Sequence, residues 1–86
     1  MGRRPLTADE RAFGTEVGRV IAEQREKRGM SQQALAEHAR LSVDGLRKLE
    51  TGRVPDPGFR TVLRLARQLD VTLDKLVEQV TSRRVR

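Results

Sequence analysis

The sequence predicts a small all-α domain made of five short helices. Apolar residues recur at helical spacing along nearly the whole chain, and no useful stretch alternates apolar and polar residues as a strand does. Capping and turn residues divide the chain into five such segments. With 86 residues the chain forms one domain, and its stability should be modest because a small core buries a limited part of the chain.

The first helix is predicted over about residues 8–28. Thr7 followed by Glu10 has the spacing of a capping box, which satisfies free backbone N–H groups at a helix start. Gly29 follows a basic run and marks the end, since cations suit the negative end of the helix dipole. The apolar face of this helix consists of Phe13, Val17, Val20 and Ile21.

Two shorter helices follow, separated by a tight turn. Ser31 is the predicted N-cap of a second helix over 32–39, and Ser42 is that of a third helix over about 43–51. Leu35, Ala36 and Ala39 form the inner face of the second helix, and Leu46 and Leu49 that of the third.

The segment 52–58, GRVPDPG, is predicted to be a loop because it holds two of the three prolines. A fourth helix follows it, and Thr72 caps a fifth. Their apolar faces are Phe59, Val62, Leu63, Leu65, Ala66 and Leu69 in the fourth, and Leu73, Leu76, Val77 and Val80 in the fifth. We expect Phe59 to lie in the core and the last residues, 82–86, to fray.

The charge balance suggests an anionic partner. Lys and Arg number 18 against 12 Asp and Glu, so the net charge is +6, and nucleic acid is the simplest anion of this kind. A genome whose codon bias favours Arg would explain the same excess. The two aromatic residues are too few for single-strand binding by base stacking. The absence of Cys excludes disulfides, thiolate zinc sites and a Cys nucleophile.

Other function classes find little support in the sequence. No apolar run approaches the roughly 20 residues of a membrane span, and the basic N-terminus lacks the apolar stretch of a secretory signal. His38 stands alone, and the capping Ser and Thr residues lack a base partner. We therefore expect a cytoplasmic protein, nucleoid-associated when bound to DNA, that is not an enzyme and has no cofactor or metal.

The second and third helices have the helix-turn-helix plan, in which the second of the two helices enters the major groove. The surrounding residues carry a resemblance: VGRVIAEQREKRGMSQQALAEHARLS, then VDGLRKLETG, then FRTVLRLARQLDVTLDKLV. Over roughly residues 16–80 the chain resembles the Xre/Cro/CI-type, phage-repressor-like helix-turn-helix family. The resemblance implies a compact five-helix DNA-binding domain.

The same resemblance implies roles for individual residues. It places Gln32 against a DNA phosphate, and it makes Arg25 and Glu50 a structural ion pair. Four residues fall where the recognition helix contacts bases: Val43, Asp44, Arg47 and Lys48. Arg47 and Lys48 are donors for guanine, and Val43 suits a thymine methyl. Asp44 has three readings: a favourable charge at the helix N-terminus, an acceptor from cytosine N4, or a repeller of phosphate.

The sequence departs from the family pattern at two positions. Arg40 stands at a turn position usually held by Gly, where a left-handed backbone would cost roughly 1 kcal/mol and the side chain could reach a phosphate. Gly45 lies inside the recognition helix, where it allows either close approach to DNA or packing against the second helix.

Most of the positive charge lies outside the motif, since residues 31–52 carry three cations and three acids. Arg53 and Arg60 are the further candidates for contact with the DNA backbone. Arg3 and Arg4 form either a groove-binding arm or solvated charge. Arg83, Arg84 and Arg86 are expected to form a solvated tail.

These observations predict three segments: an arm with the start of an extended first helix (1–15), the helix-turn-helix domain (16–80) and a basic tail (81–86). The predicted function is a sequence-specific double-stranded DNA-binding transcriptional regulator, acting as a homodimer on a palindromic site without a small-molecule effector. The fifth helix and the extended first helix are the candidate dimer surfaces, unless the apolar faces of both are buried in the core. The alternative is a protein-interaction module on the same fold, such as an antitoxin that binds a toxin or a transcriptional coactivator.

Overall fold

A computed structural model describes residues 4–84, in which five helices and no strand are present. The helices are α1 (Ala8–Lys27), α2 (Gln32–Ala39), α3 (Val43–Glu50), α4 (Phe59–Gln68) and α5 (Leu73–Arg84). The predicted all-α class is therefore confirmed, and the helix starts agree with the predicted caps.

Helix α1 begins at a complete capping box. The Thr7 Oγ1 accepts from the backbone N–H of Glu10 at 3.1 Å, and the Glu10 carboxylate accepts from the backbone N–H of Thr7 at 2.8 Å. Arg4 adds two bonds to the same carboxylate, at 2.9 and 2.7 Å. Arg4 thus lies against the start of α1, while Arg3 is outside the described residues. Helix α1 runs unbroken through residues 15 and 16, and the domain division there stays a prediction.

All five helices contribute to one core. Helix α1 packs against α3 and α5, and α2 packs against α3 and α4. The fully buried large side chains are Val20, Ile21, Leu35, Leu46, Leu65, Leu69, Leu76 and Val80. These residues come from the predicted apolar faces, because a face formed at helical spacing loses its water when the helices pack.

The prediction that Phe59 lies in the core is wrong. Its side chain is 67% exposed, and Val77 of the predicted apolar face of α5 is 46% exposed. Phe59 is the first residue of α4, where the chain enters from the 52–58 loop and the core lies under Leu65 and Leu69 further along the helix. Both exposed side chains line one open groove on the surface.

Residues 82–84 are helical, although the sequence predicts that they fray. Helix α5 continues to Arg84, and Arg83 donates from Nε to Glu16 at 2.6 Å and from Nη1 to Glu23. The expectation that Arg83 belongs to a solvated tail is therefore wrong, because two carboxylates of α1 hold its guanidinium. Arg84 lies in the same helix, and Arg86 is outside the described residues.

Candidate nucleic-acid interface

The two helices of the motif begin at serine caps. The Ser31 Oγ accepts from the N–H of Ala34 at 3.0 Å, and the Ser42 Oγ accepts from the N–H of Gly45 at 2.9 Å. Each hydroxyl satisfies one of the N–H groups that a helix leaves free at its start. The starts of α2 and α3 are therefore set by the local sequence.

The turn between them is built around a left-handed residue. Arg40 has φ 61° and ψ 44°, and the next residue, Leu41, donates its N–H to the carbonyl of Ala36 at 2.8 Å. That bond closes the end of α2 in the manner of a Schellman motif. A side chain in this conformation costs roughly 1 kcal/mol relative to Gly, and that of Arg40 points into solvent.

Three of the four predicted base-contacting residues share an exposed edge of α3. Asp44 Oδ2 lies 3.2 Å from the Nζ of Lys48, and its Oδ1 lies 3.8 Å from the Nη1 of Arg47. Residues three and four positions apart are neighbours on a helix, so the spacing produces these pairs. Val43 differs, since it is half-buried and packs against the hydrophobic core, which leaves less of it for contact with a base.

Gly45 lies close to the Ser42 cap. A Cβ built at Gly45 would be 2.9 Å from the Ser42 Oγ, so the serine side chain would have to shift slightly to admit a larger residue. The same cap holds Ala34 and Glu10 at the equivalent positions of α2 and α1, so the cap alone does not require Gly. No atom of α2 lies within 4 Å of the built Cβ, and close approach to DNA stays a prediction.

A buried ion pair holds the end of α3. Arg25 donates from Nε and Nη2 to the Glu50 carboxylate at 2.7 and 3.0 Å, and from Nη1 to the carbonyl of Met30 at 2.8 Å. The side chains of Arg25 and Glu50 are 12% and 4% exposed. The carboxylate also raises the pKa of the Arg25 guanidinium, chiefly through these hydrogen bonds. The pair joins α1 to the last turn of α3.

Gln32 takes part in the same cluster. Its Nε2 donates to Glu50 Oε1 at 2.9 Å, and the side chain is half-buried. Glu50 thus joins three helices, because its carboxylate accepts from Arg25 of α1 and Gln32 of α2. Sequence reasoning placed Gln32 at the start of α2 but did not find this bond, which closes only when α2 and α3 pack.

The remaining candidates for backbone contact are exposed. Arg40, Arg53 and Arg60 lie at the motif turn, in the loop after α3 and near the start of α4. The N–H of Arg53 donates to the carbonyl of Lys48 at 2.9 Å, which fixes the chain as it leaves α3. Sequence reasoning missed Arg64, whose Nε donates to the carbonyl of Ala39 at 2.9 Å and attaches α4 to the end of α2. A backbone carbonyl as partner leaves no signal in the sequence.

The described residues offer no metal site and no membrane-spanning helix. Within residues 4–84, no three His, Cys, Asp or Glu side chains are grouped to hold a metal ion. The Nδ1 of His38 lies 2.7 Å from the carbonyl oxygen of Ala34 in its own helix. Over the same residues, every helix is too short or too polar to cross a bilayer.

Comparison with known protein families identifies the domain. A family model described as a helix-turn-helix domain matches residues 16–79, which include all of α2, α3 and α4 and most of α1 and α5. A search of curated proteins finds no match to the chain.

Proposed function

Because this chain belongs to the helix-turn-helix domain family, we propose that it is a sequence-specific double-stranded DNA-binding transcriptional regulator. The observation that carries the proposal is the exposed edge of α3 formed by Asp44, Arg47 and Lys48. In this plan the second helix of the motif lies in the major groove with such side chains toward base edges. Donors on this edge can bind the acceptors of guanine, and an acceptor beside them can bind the amino group of cytosine, so the edge can distinguish base pairs.

The scaffold beneath α3 supports this role. The cluster of Arg25, Gln32 and Glu50 holds one end of α3 to α1 and α2, and the Ser42 cap holds the other end. A recognition helix has to present its side chains in one orientation, and a rigid element achieves this better than a loop. We propose that Gln32 reaches a phosphate from this cluster with its remaining amide hydrogen.

Electrostatic attraction to the backbone comes from the turn of the motif and from the residues that follow α3. Arg40, Arg53 and Arg60 are exposed cations there, although residues 31–52 as a whole have no net charge. Each phosphate neutralised contributes about −0.9 to the slope of log affinity against log salt concentration. We propose that these residues position the protein on the duplex while α3 determines the sequence.

Selection of bound sites from random duplex DNA, followed by affinity measurements at several salt concentrations, tests the proposal. We expect one enriched sequence and a slope of about −2.7 for each bound protomer, for the three phosphate contacts of Arg40, Arg53 and Arg60. Arg47→Ala should relax the preference at one base pair, and the control Arg11→Ala, an exposed arginine of α1, should leave every preference unchanged. No enrichment, or affinity independent of salt, would refute the function.

We also propose that the protein acts as a homodimer. An open groove of about 620 Å³ lies between the N-terminal half of α1, the 52–58 loop and the starts of α4 and α5. Phe13, Leu73 and the exposed side chains of Phe59 and Val77 line it. Both predicted dimer surfaces, α1 and α5, therefore contribute to one apolar face. A dimer would bind half-sites about 34–36 Å apart.

Light scattering of the wild type and Phe59→Ser tests the dimer. We expect a dimeric wild type, and a monomeric variant with unchanged helical circular dichroism because Phe59 is exposed. The variant should bind one half-site with wild-type base preferences. A wild type that is monomeric both free and on its selected site would refute the dimer.

The same groove favours a second candidate, an interaction module whose apolar face receives another protein. The two candidates differ in the random-site selection, since a pure interaction module enriches no DNA sequence.

A further inference from the structure

Asp44 and Lys48 form a carboxylate–ammonium couple on the exposed edge of α3. Oδ2 and Nζ are 3.2 Å apart, and both side chains are more than half exposed. Lys48 follows Asp44 by four residues, the arrangement in which an acid and a base stabilise a helix. The couple therefore presents an acceptor and a donor side by side, in a fixed order along the helix.

The major-groove edge of a G·C pair has the complementary order. Guanine presents the acceptors N7 and O6, and cytosine presents the N4 amino donor beside O6. The O6 and N4 atoms are hydrogen-bonded to each other within the pair, so they are about 2.9–3.0 Å apart. This spacing is close to the 3.2 Å between the Asp44 and Lys48 atoms.

We propose that the Asp44–Lys48 couple recognises one G·C base pair in each half-site. Asp44 accepts a hydrogen bond from cytosine N4, and Lys48 donates to guanine O6 and N7. The inference rests on the proposed DNA-binding function and specifies its target. The couple also explains why an acid lies on an edge that faces a polyanion: the carboxylate has a donor to meet on the base.

An A·T pair does not satisfy the couple in the same way. Across its major groove the order is adenine N7 acceptor, N6 donor, thymine O4 acceptor and then the methyl group. If the Asp44 carboxylate accepts from adenine N6, it lies between two acceptors, N7 and O4, which repel it. If the Lys48 ammonium donates to thymine O4, its neighbour is the methyl group and not the second acceptor that guanine provides. Replacing the G·C pair by A·T should therefore weaken binding between about 5-fold and 150-fold.

Arg47 is a weaker member of this edge. Its Nη1 is 3.8 Å from Asp44 Oδ1, beyond hydrogen-bonding distance, so its guanidinium remains available for a neighbouring base pair or a phosphate. The position of Asp44 in the first turn of α3 also favours the helix dipole. This charge effect acts equally on all DNA sequences, which separates it from base recognition in an experiment.

Random-site selection with the wild type, Asp44→Asn and Lys48→Gln tests the inference. The wild type should enrich a G·C pair at one position of each half-site. Both variants should lose the G·C preference at that position and keep the preferences at all other positions. Asp44→Asn should also gain a preference for adenine there, because the Asn amide binds adenine N6 and N7. Asp74→Asn is the matched control, since Asp74 is the corresponding exposed acid in the first turn of α5.

The outcomes distinguish this inference from the proposed function. A wild type that enriches no sequence overturns both. A wild-type site whose preferences survive in Asp44→Asn overturns the G·C inference alone. An Asp44→Asn variant that binds every sequence more tightly, with unchanged preferences, also overturns it and assigns Asp44 to phosphate repulsion.

Discussion

The backbone of Gly18 in α1 lies directly against the carbonyl oxygen of Leu49 in α3. A Cβ built at Gly18 would be 1.9 Å from that oxygen, far inside van der Waals contact. Gly18 is therefore a point of close backbone approach between α1 and α3. The neighbouring turn of α1 has a similar contact, where a Cβ at Gly14 would be 1.7 Å from the carbonyl oxygen of Pro55.

Gly18→Ala should destabilise the fold, because α1 and α3 have to separate to admit the methyl group. Overpacking of this kind costs typically 1–3 kcal/mol, and about 1 kcal/mol lowers the Tm of a domain this size by roughly 4–8 °C. Thermal unfolding followed by circular dichroism measures the change. Gly58→Ser is the control, since a Cβ at Gly58 meets no atom within 4 Å. This substitution should change stability by about a few tenths of a kcal/mol at most.

Glu50→Ala should lower stability far more than DNA-binding specificity. Removing the carboxylate leaves the Arg25 guanidinium buried without its partner and frees the Gln32 amide, at a cost of about 3–5 kcal/mol. Chemical denaturation measures this loss, and the double variant with Arg25→Met should recover part of it because no buried charge remains unpaired. If Glu50→Ala kept full stability but lost DNA binding, the structural role of the pair would be wrong.

Two substitutions at Arg40 separate its backbone conformation from its charge. Arg40→Gly removes the strain of the left-handed conformation and should stabilise the protein by up to about 1 kcal/mol. Arg40→Ala keeps that strain, so its stability should match the wild type. Both remove one proposed phosphate contact from each protomer and should reduce the salt slope by about 0.9 per bound protomer. Equal stabilities of the two variants would contradict the strain argument. An unchanged slope of log affinity against log salt concentration would contradict the phosphate contact.

Acid should weaken the start of α1 through Glu10. Hydrogen bonds from Arg4 and from the backbone of Thr7 lower the pKa of Glu10 from 4.5 to about 2. A carboxyl whose pKa is lower when folded stabilises the fold above its unfolded pKa, and this contribution disappears as the pH falls from 4.5 towards 2. The Tm difference between wild type and Glu10→Gln should therefore shrink over this range, and high salt should reduce it because the group is exposed. A Tm difference that does not change with pH would contradict the lowered pKa of Glu10.

The helices could be predicted from the sequence because their signals are local. Thr7, Ser31 and Ser42 cap the helices they were expected to cap, and each bond joins residues three positions apart. The left-handed turn at Arg40 could be expected only through the family resemblance, which places Gly at this position. The exposed couple on α3 depends on helical spacing alone, so it too was within reach of the sequence.

Contacts between distant residues were not predictable in the same way. Arg83 and Glu16 are 67 positions apart, and their bond depends on how α5 crosses α1. Phe59 belongs to an apolar series by spacing, yet it is exposed because no other element within residues 4–84 covers the first turn of α4. The Gln32 bond to Glu50 forms only after α2 and α3 have packed.

Hydrogen bonding and side-chain spacing within a helix are local properties, so the five helices, their caps and the side chains presented on α3 follow from the order of the residues. The packing of the helices selects which apolar residues line the surface groove and which charged residues form the buried cluster. Burial depends on the distance and crossing of helices, and these are set at close approaches such as that of Gly18 to Leu49.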